Sequence, residues 1–294
     1  MEKILVIVGP TASGKSSFGV KCAKAFNGEI ISGDSIQIYE GLNIGSAKVR
    51  KEETEGIVHH LIDIKKANEN YSVKEFQEKG RQLIKEISER GKLPIIVGGT
   101  GLYIKALIYD YTFFDEEEKD DQYEDLSNEE IYDILKKEDA ASLEKIHVNN
   151  RKRLVRALNV LRKHGEGIAQ IKNAQEHKLV YDTKVIGLTK PREELNELIN
   201  RRVDLMFEEG LEQEVRGLLD KGITFENQCM QAIGYREFKD YIEGNKTLDE
   251  VKEEIKKDTR HFAKRQYTWF NNQMDIEWHD DLSNALASIS DFLC

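Results

Sequence analysis

The sequence predicts an α/β fold in which a parallel sheet is flanked by helices and carries an all-helical insertion domain. Three observations support this fold class. Short apolar runs that resemble buried strands alternate with amphipathic helical segments, which is the pattern of a parallel sheet. The first run leads directly into a glycine-rich loop. From residue 115 to residue 180 no convincing buried strand is seen, and the segment resembles two or three helices.

The glycine-rich loop follows the apolar strand from Ile4 to Val8 and has the spacing G-x-x-x-x-G-K-S. Its residues are Gly9, Pro10, Thr11, Ala12, Ser13, Gly14, Lys15 and Ser16. A strand before and a helix after this spacing predict a phosphate-binding loop, or P-loop. Its amides and the helix N-terminus attract an anion, Lys15 adds a charge, and the Ser16 hydroxyl suits Mg²⁺. The sheet is therefore P-loop NTPase-like, and the expected ligand is a di- or triphosphate.

The elements that follow the loop place two more polar residues near it. We predict helices over 16–26 and 72–90 and strands over 29–34, 59–64 and 93–99. The strand over 29–34 ends in Asp34, and the strand over 93–99 leads into Thr100. Because the carboxyl ends of parallel strands line the ligand crevice, both side chains are expected to face the same site as Lys15. Capping of a helix is the alternative role for each of them.

The second half of the chain returns to the core after the insertion. A strand is predicted over 184–188, and helices follow Pro191, surround 231–236 and extend over 248–270. The predicted core domain therefore comprises residues 1–114 and 181–294, and the predicted insertion domain comprises residues 115–180.

Composition limits the class of protein. The chain has 294 residues and no apolar run of about 18 residues, so a membrane span is not expected. Its first strand lies close to Met1, so a signal peptide is not expected either. Its three scattered cysteines suggest neither disulfides nor a zinc site. We expect a reduced, soluble, cytoplasmic monomer.

Charge is unevenly distributed. The net charge of −10 argues against non-specific binding of nucleic acid. Yet residues 115–130 contain ten acidic residues and one lysine, whereas residues 151–163 contain six basic residues and no acidic one. This segregation predicts a local basic surface on an acidic protein.

The chemistry is not fixed by the loop. A P-loop NTPase usually has a second acid on a neighbouring strand. Here the strand over 93–99 ends in Gly98-Gly99 and is followed by Thr100, so a hydroxyl stands where the acid would be expected. That weakens the NTPase interpretation. A small-molecule kinase with a helical lid stays as the alternative function. A non-catalytic RNA-binding module would leave the complete P-loop unexplained.

The motifs together resemble those of a known family. They are Gly-Pro-Thr-Ala-Ser-Gly-Lys-Ser at 9–16, Asp34-Ser35, Gly-Gly-Thr-Gly-Leu-Tyr at 98–103, Ala-Ile-Gly-Tyr-Arg at 232–236, and Lys264-Arg265-Gln266 with Trp269. This ordered set is similar to the bacterial tRNA dimethylallyltransferases. The resemblance implies transfer of a dimethylallyl group from its diphosphate to the N6 amine of the adenosine 3′ of the tRNA anticodon. The P-loop would then hold diphosphate and Mg²⁺ rather than ATP.

The resemblance also implies roles for individual residues. Asp34 would be the general base, Thr100 would lie where flipped base and diphosphate meet, and Lys15 would stabilise the leaving group. Arg192 would help to bind diphosphate, with Arg201 and Arg202 as rivals. The implied contacts to the anticodon stem-loop are Asp34, Ser35, Ile36, Gln37, Thr100, Lys152, Arg153, Leu154, Val155, Arg156, Gln231, Gly234, Tyr235, Arg236, Lys264, Arg265 and Gln266.

Two features depart from the family pattern, and a third admits another interpretation. Acidic residues over 115–118 stand where the family has a proline-rich segment with a basic residue, and Leu198 stands where it commonly has a basic one. For the basic stretch over 152–156, the alternative is a solvated helix face without RNA.

Overall fold

The computed structural model describes residues 1–111, 113, 123–144, 146–170 and 178–294. The chain forms two compact units. The core unit comprises Met1–Tyr109 and Leu179–Cys294, and the inserted unit comprises Asp110–Lys178.

The core unit is built on one sheet of six strands, all parallel, in the order β3-β2-β4-β1-β5-β6. The strands are β1 Lys3–Val8, β2 Gly28–Ser32, β3 His59–His60, β4 Leu93–Gly98, β5 Asp182–Leu188 and β6 Glu277–His279. The predicted parallel α/β fold is thereby confirmed. The P-loop strand β1 lies between β4 and β5, so the ends of three neighbouring strands meet at the loop.

Helices cover the sheet. Those of the core unit are α1 Lys15–Ala25, α2 Val73–Glu89, α3 Gly101–Ile108, α7 Arg192–Glu208, α8 Leu211–Asp220, α9 Phe238–Ile242, α10 Leu248–Gln273 and α11 Leu282–Leu293. A 3₁₀ turn spans Gln228–Gln231. Side chains of β1 alternate between two hydrophobic clusters: Ile4, Val6 and Val8 belong to one, and Leu5 and Ile7 to the other. The sheet is therefore buried on both faces, as the apolar runs predicted.

The inserted unit contains the helices α4 Asn128–Glu138, α5 Ala140–Leu143 and α6 Arg151–His164. Its core includes Ile131, Leu135, Leu154 and Leu158, which recur at the helical spacing of α4 and α6. Asn150 caps the N-terminus of helix α6, and its side chain accepts the Arg153 amide. Gly165, in the left-handed conformation, caps the C-terminus. Half of the acidic run over 115–130, from residue 115 to residue 122, lies outside the described residues.

One predicted detail was wrong, and three elements were missed. Strand β3 is only His59–His60 rather than residues 59–64, because Leu61 and Asp63 adopt positive φ angles of 61° and 52°, which take the chain out of the extended conformation. Strand β6 and helices α8 and α11 were not predicted. Within the described part of the chain, no helix is both long and apolar enough to cross a membrane.

Candidate functional site

The P-loop has a backbone conformation that its sequence permits. Gly9 has φ 147°, and a Cβ there would collide with the carbonyl oxygen of Leu188 on β5. Gly14, with φ 89°, is the residue before α1. Ala12 also has a positive φ, 65°, an unusual conformation for a non-glycine residue. Strained backbone of this kind is typical of ligand-binding loops.

Two cations meet at this loop. The Lys15 ammonium donates to the carbonyl oxygen of Pro10 at 2.6 Å, and Arg202 of α7 lies 3.4 Å from the Thr11 hydroxyl. Burial, and secondly the charge of Arg202, lower the pKa of Lys15 to about 7, while the charge of Asp34 opposes the shift. Burial likewise lowers the pKa of Arg202. The site therefore holds dehydrated positive charge, which an anion would stabilise.

A buried hydroxyl lies in the same loop. Ser13 is 4% exposed, and its Oγ has no hydrogen-bond partner among the described residues. Because an unpaired buried polar group is costly, this hydroxyl favours a ligand that can pair with it.

Asp34 and Thr100 form a second group of polar residues at the ends of β2 and β4. Oδ1 of Asp34 accepts the amides of Ile36 at 2.8 Å and Gln37 at 3.2 Å. Oγ1 of Thr100 accepts the Ser35 amide at 3.2 Å and lies 3.4 Å from the Ser35 hydroxyl. The structure thus brings Thr100 to Ser35, the residue next to Asp34. The electrostatic effect of Asp34 on Lys15 connects Asp34 to the P-loop.

Gln266 of α10 joins the P-loop to the β4–α3 junction. Its Oε1 accepts the Thr11 amide at 2.8 Å, and its Nε2 donates to the Gly99 carbonyl at 2.9 Å. The residue is 7% exposed. Both polar atoms of this predicted tRNA contact are therefore engaged inside the core unit.

A cavity of about 580 Å³ opens beside the P-loop. The loop and α1 contribute Ala12, Gly14, Lys15, Ser16 and Ser17; a segment over 43–55 contributes Asn43, Ile44, Ala47, Lys48, Val49, Arg50, Glu53 and Glu55; and the end of α7 contributes Arg202, Leu205, Met206 and Glu209. Its wall is mixed, with apolar groups from Ile44, Val49 and Met206 beside the two cations. Such a cavity can hold a molecule that is apolar at one end and anionic at the other.

The predicted arginines occupy different places on α7. Arg192 is exposed at the first position of the helix, and Arg201 is exposed near its other end. Arg202, which contacts the loop, is ten residues beyond Arg192, or about 15 Å along the helix axis. Of the three rivals, the structure brings Arg202 to the P-loop.

The predicted residues around 231–236 are mostly engaged within the core unit. Tyr235 is fully buried and donates its hydroxyl to Glu214 at 2.7 Å. Arg236 pairs with Glu237 and Asp258. Gln231 is exposed and donates to the Phe225 carbonyl. On α10, Lys264 and Arg265 are exposed.

The basic helix α6 of the inserted unit presents only part of its predicted stretch to solvent. Leu154 and Val155 are buried in the core of that unit, whereas Lys152, Arg153 and Arg156 are exposed. Two other basic residues of this helix are used internally: Arg151 donates to the carbonyls of Tyr123 and Leu126, and Arg162 pairs with Glu138.

Comparison with known proteins gives a consistent result. A family model described as "IPP transferase" matches residues 37–273. A tRNA dimethylallyltransferase of Anoxybacillus flavithermus is 50% identical over 282 residues, which cover 95% of this chain and 90% of that protein.

Solved structures agree. A tRNA isopentenylpyrophosphate transferase of Staphylococcus epidermidis is similar with a TM-score of 0.75 and 43% identity, covering 100% of this chain and 99% of that one. A eukaryotic dimethylallyltransferase whose structures show it acting on tRNA has a TM-score of 0.88 and 31% identity, covering 100% of this chain and 80% of that one.

Proposed function

The chain belongs to the IPP transferase family and is a transferase, and we propose that it moves a dimethylallyl group from dimethylallyl diphosphate to the N6 amine of the adenosine 3′ of a tRNA anticodon. The observation that carries the proposal is the pair of dehydrated cations, Lys15 and Arg202, at a P-loop that adjoins an amphipathic cavity. The kinase alternative is not supported by the relatives.

The P-loop would hold the diphosphate. As the carbon–oxygen bond breaks, the electron pair leaves with the diphosphate, and negative charge grows on its oxygens. Lys15, Arg202 and the loop amides are already in place to stabilise this charge, which is the condition for lowering the barrier. The apolar side chains of the cavity wall suit the five-carbon group. Arg192 stays a predicted ligand, but the geometry favours Arg202 for this role.

Mg²⁺ fits the donor chemistry at the start of α1. Mg²⁺ in phosphate sites is usually held by one or two protein oxygens, several waters and the substrate phosphates. The Ser16 hydroxyl is exposed next to Lys15 and lines the cavity, so it can be that protein ligand. A bound Mg²⁺ would supply further charge stabilisation to the leaving diphosphate.

Asp34 would act as the general base. Its Oδ1 is occupied by two backbone amides, which fix the side chain and leave Oδ2 to take the proton. The N6 nitrogen forms a bond to the dimethylallyl carbon and transfers a proton to Asp34, so that the product amine is neutral. Thr100 contacts Ser35, the residue next to this aspartate, and would orient the adenine.

The tRNA would be bound by exposed basic residues. An amine inside stacked RNA cannot reach Asp34, so the adenine must be flipped out. Lys152, Arg153 and Arg156 of the inserted unit and Lys264 and Arg265 of α10 offer exposed charge for the phosphate backbone. The buried predicted contacts, Leu154, Val155 and Tyr235, would support these surfaces rather than contact RNA through their side chains.

The direct test is transfer of label. The purified chain is incubated with radiolabelled dimethylallyl diphosphate, Mg²⁺ and an unmodified tRNA transcript, with a control transcript that has guanosine at the position 3′ of the anticodon. We expect label in the first RNA alone. Absence of label, together with phosphorylation of a small acceptor by ATP, would restore the kinase alternative.

Asp34→Asn tests the base within the same assay. The substitution keeps an oxygen for the Ile36 and Gln37 amides but removes the proton acceptor. Single-turnover transfer should fall roughly a hundredfold or more, the scale of general-base removal. Affinity for dimethylallyl diphosphate, measured by calorimetry, should change little. Undiminished transfer would exclude Asp34 as the base.

A further inference from the structure

We propose that Glu214 is a positioning residue for the transfer reaction. Through the turn over residues 43–47, here called the 43–47 turn, and through Gln37, it would hold the Asp34 carboxylate in place. The inference rests on the proposed function. It concerns a residue that lies outside the P-loop, does not line the cavity and carries no role in the proposed chemistry.

Glu214 makes an unusually complete set of hydrogen bonds. Its Oε2 accepts the amides of Asn43 at 2.9 Å and Ile44 at 2.8 Å. Its Oε1 accepts the amides of Ile44 and Gly45, each at 3.1 Å, and the Tyr235 hydroxyl at 2.7 Å. Three successive amides around one carboxylate form an anion-binding nest whose anion is a side chain of the protein itself.

The 43–47 turn requires such an acceptor. Its internal hydrogen bonds run from the amides of Ala47 and Lys48 to the carbonyls of Ile44 and Asn43. The amides of residues 43–45 are left without partners inside the turn, as at the start of a helix. A carboxylate satisfies them with charge-assisted bonds, and the position of Glu214 in the first turn of α8 favours its charge.

Packing fixes the turn further. A Cβ on Gly45 would lie 2.6 Å from Cζ of Tyr235, so the backbone lies directly against that ring. Ala47 has φ 48°, a strained conformation for alanine, which persists only where its surroundings determine it. Glu214 and Tyr235 thus hold the turn from one side.

The other side of the turn reaches the catalytic group. The side-chain Nε2 of Gln37 lies 3.4 Å from the Ser46 carbonyl oxygen and 3.3 Å from the Ala47 carbonyl oxygen. The backbone amide of Gln37 donates to Oδ1 of Asp34 at 3.2 Å. The turn also supplies Asn43, Ile44 and Ala47 to the cavity wall beside Lys15. A displaced turn would therefore move both the base and the wall.

Glu214→Gln is the test, and Glu212→Gln is its matched control. Glu212 is on the same helix and also accepts a tyrosine hydroxyl, that of Tyr241 at 2.9 Å, but it contacts Arg216 rather than the 43–47 turn. In Glu214→Gln the amide group of the new side chain faces backbone donors. We expect its single-turnover transfer rate to fall about tenfold, since small misplacement of reacting groups is costly.

Three readouts separate positioning from a general loss of stability. In Glu214→Gln, the affinity for dimethylallyl diphosphate should change at most about threefold, and amide hydrogen exchange should quicken at residues 43–45. Glu212→Gln should transfer at the wild-type rate, even if its melting temperature falls as much as that of Glu214→Gln. If Glu214→Gln transfers as fast as Glu212→Gln, the proposal is wrong. A wild-type chain that transfers no label would instead refute the proposed function.

Tyr235→Phe keeps the test decisive if Glu214→Gln does not fold. It removes one donor to Glu214 and preserves the ring against Gly45. The rate should fall about threefold, the size expected when a charged group loses one hydrogen bond and retains its other donors. A folded Tyr235→Phe variant with the wild-type rate, in the absence of a folded Glu214→Gln variant, would overturn the proposal.

Discussion

Two basic regions of this chain differ in how much water their cations keep. At the P-loop, Lys15 and Arg202 are partly or largely withdrawn from solvent, and burial lowers the pKa of each. On α6 of the inserted unit, Lys152, Arg153 and Arg156 are exposed. The first region has already lost hydration and binds strongly only where an anion replaces the water. The second keeps its hydration, so its attraction for an anion is screened by salt.

The difference matches two kinds of anion. Diphosphate is small and carries concentrated charge, and a preorganised dehydrated cradle stabilises such charge most as it develops during a reaction. The backbone of a folded RNA is a long row of phosphates, and exposed cations bind it by releasing counterions. In the proposed function, one chain thus uses the same residue types for catalysis in one unit and for attraction in the other.

The largest effect should follow removal of a dehydrated cation. Lys15→Met preserves the length of the side chain but removes its charge. Because that charge would stabilise the leaving diphosphate in the proposed function, single-turnover transfer should fall by roughly two to three orders of magnitude. Lys21→Met, an exposed position on the same helix, is the control and should transfer normally. Equal rates in the two variants would mean that the loop does not hold the leaving group.

A smaller effect is expected from pH. In the free chain Lys15 has a pKa of about 7, and a bound diphosphate should raise that pKa. Binding then takes up a proton above pH 7. The dissociation constant should accordingly rise with pH, by at most about tenfold per unit, from pH 7 to the pKa of Lys15 in the complex; below pH 7 Lys15 contributes no slope.

Calorimetry with dimethylallyl thiolodiphosphate at several pH values above the pKa of Lys15, in two buffers of different ionisation enthalpy, measures this proton uptake. Lys15→Met should abolish it. A dissociation constant independent of pH in the unmodified chain would show that Lys15 is fully charged before the ligand arrives, and the contrast between the two basic regions would then be smaller than the structure indicates.

The comparison also shows what a sequence can predict. The P-loop was predictable because strand, glycine spacing and helix follow one another within a short segment at the start of the chain. The meeting of Asp34 with Thr100 followed from the rule that carboxyl ends of parallel strands lie together. Both arguments need only local signals and the fold class, and in the structure Ser35, the residue after Asp34, contacts Thr100.

Other features depend on tertiary contacts that no local pattern specifies. Three arginines on α7 were rivals for the P-loop, and only the orientation of the helix places Arg202 there. Gln266 was expected at tRNA, yet its carboxamide bridges Thr11 and Gly99. Glu214 was not singled out, since its partners are amides about 170 residues earlier.

Strand β6, helix α11 and helix α8 were not predicted, and the first two leave the fold class unchanged. Strand β6 is three residues long at the sheet edge and pairs only with β5 among the described strands. Helix α11 covers the face of the sheet that includes Leu5 and Ile7. Both elements extend or cover a sheet whose parallel arrangement the other strands already determine, so neither changes the fold class.

The smallest expected effect concerns the hydrated region. Lys152, Arg153 and Arg156 changed together to Ala should weaken binding of a tRNA transcript about tenfold at moderate salt, because each cation that binds a phosphate releases counterions. The slope of log affinity against log salt should flatten by up to about 0.7 to 0.9 for each phosphate that no longer has a cation bound to it. Affinity for dimethylallyl diphosphate should be unchanged, since in the proposed function that ligand binds the core unit.

Lys136 and Lys137, exposed on α4 of the same unit, provide the control. Their change to Ala alters the net charge of the unit without touching α6. A solvated helix face predicts that the triple variant and this control bind tRNA alike, with equal salt slopes. A kinase lid predicts weaker diphosphate binding instead. Filter binding of tRNA at two salt concentrations, with calorimetry of the diphosphate, distinguishes the three cases. An unchanged slope in the triple variant would remove α6 from RNA recognition and leave Lys264 and Arg265 of α10 as the exposed cations proposed to contact the phosphate backbone.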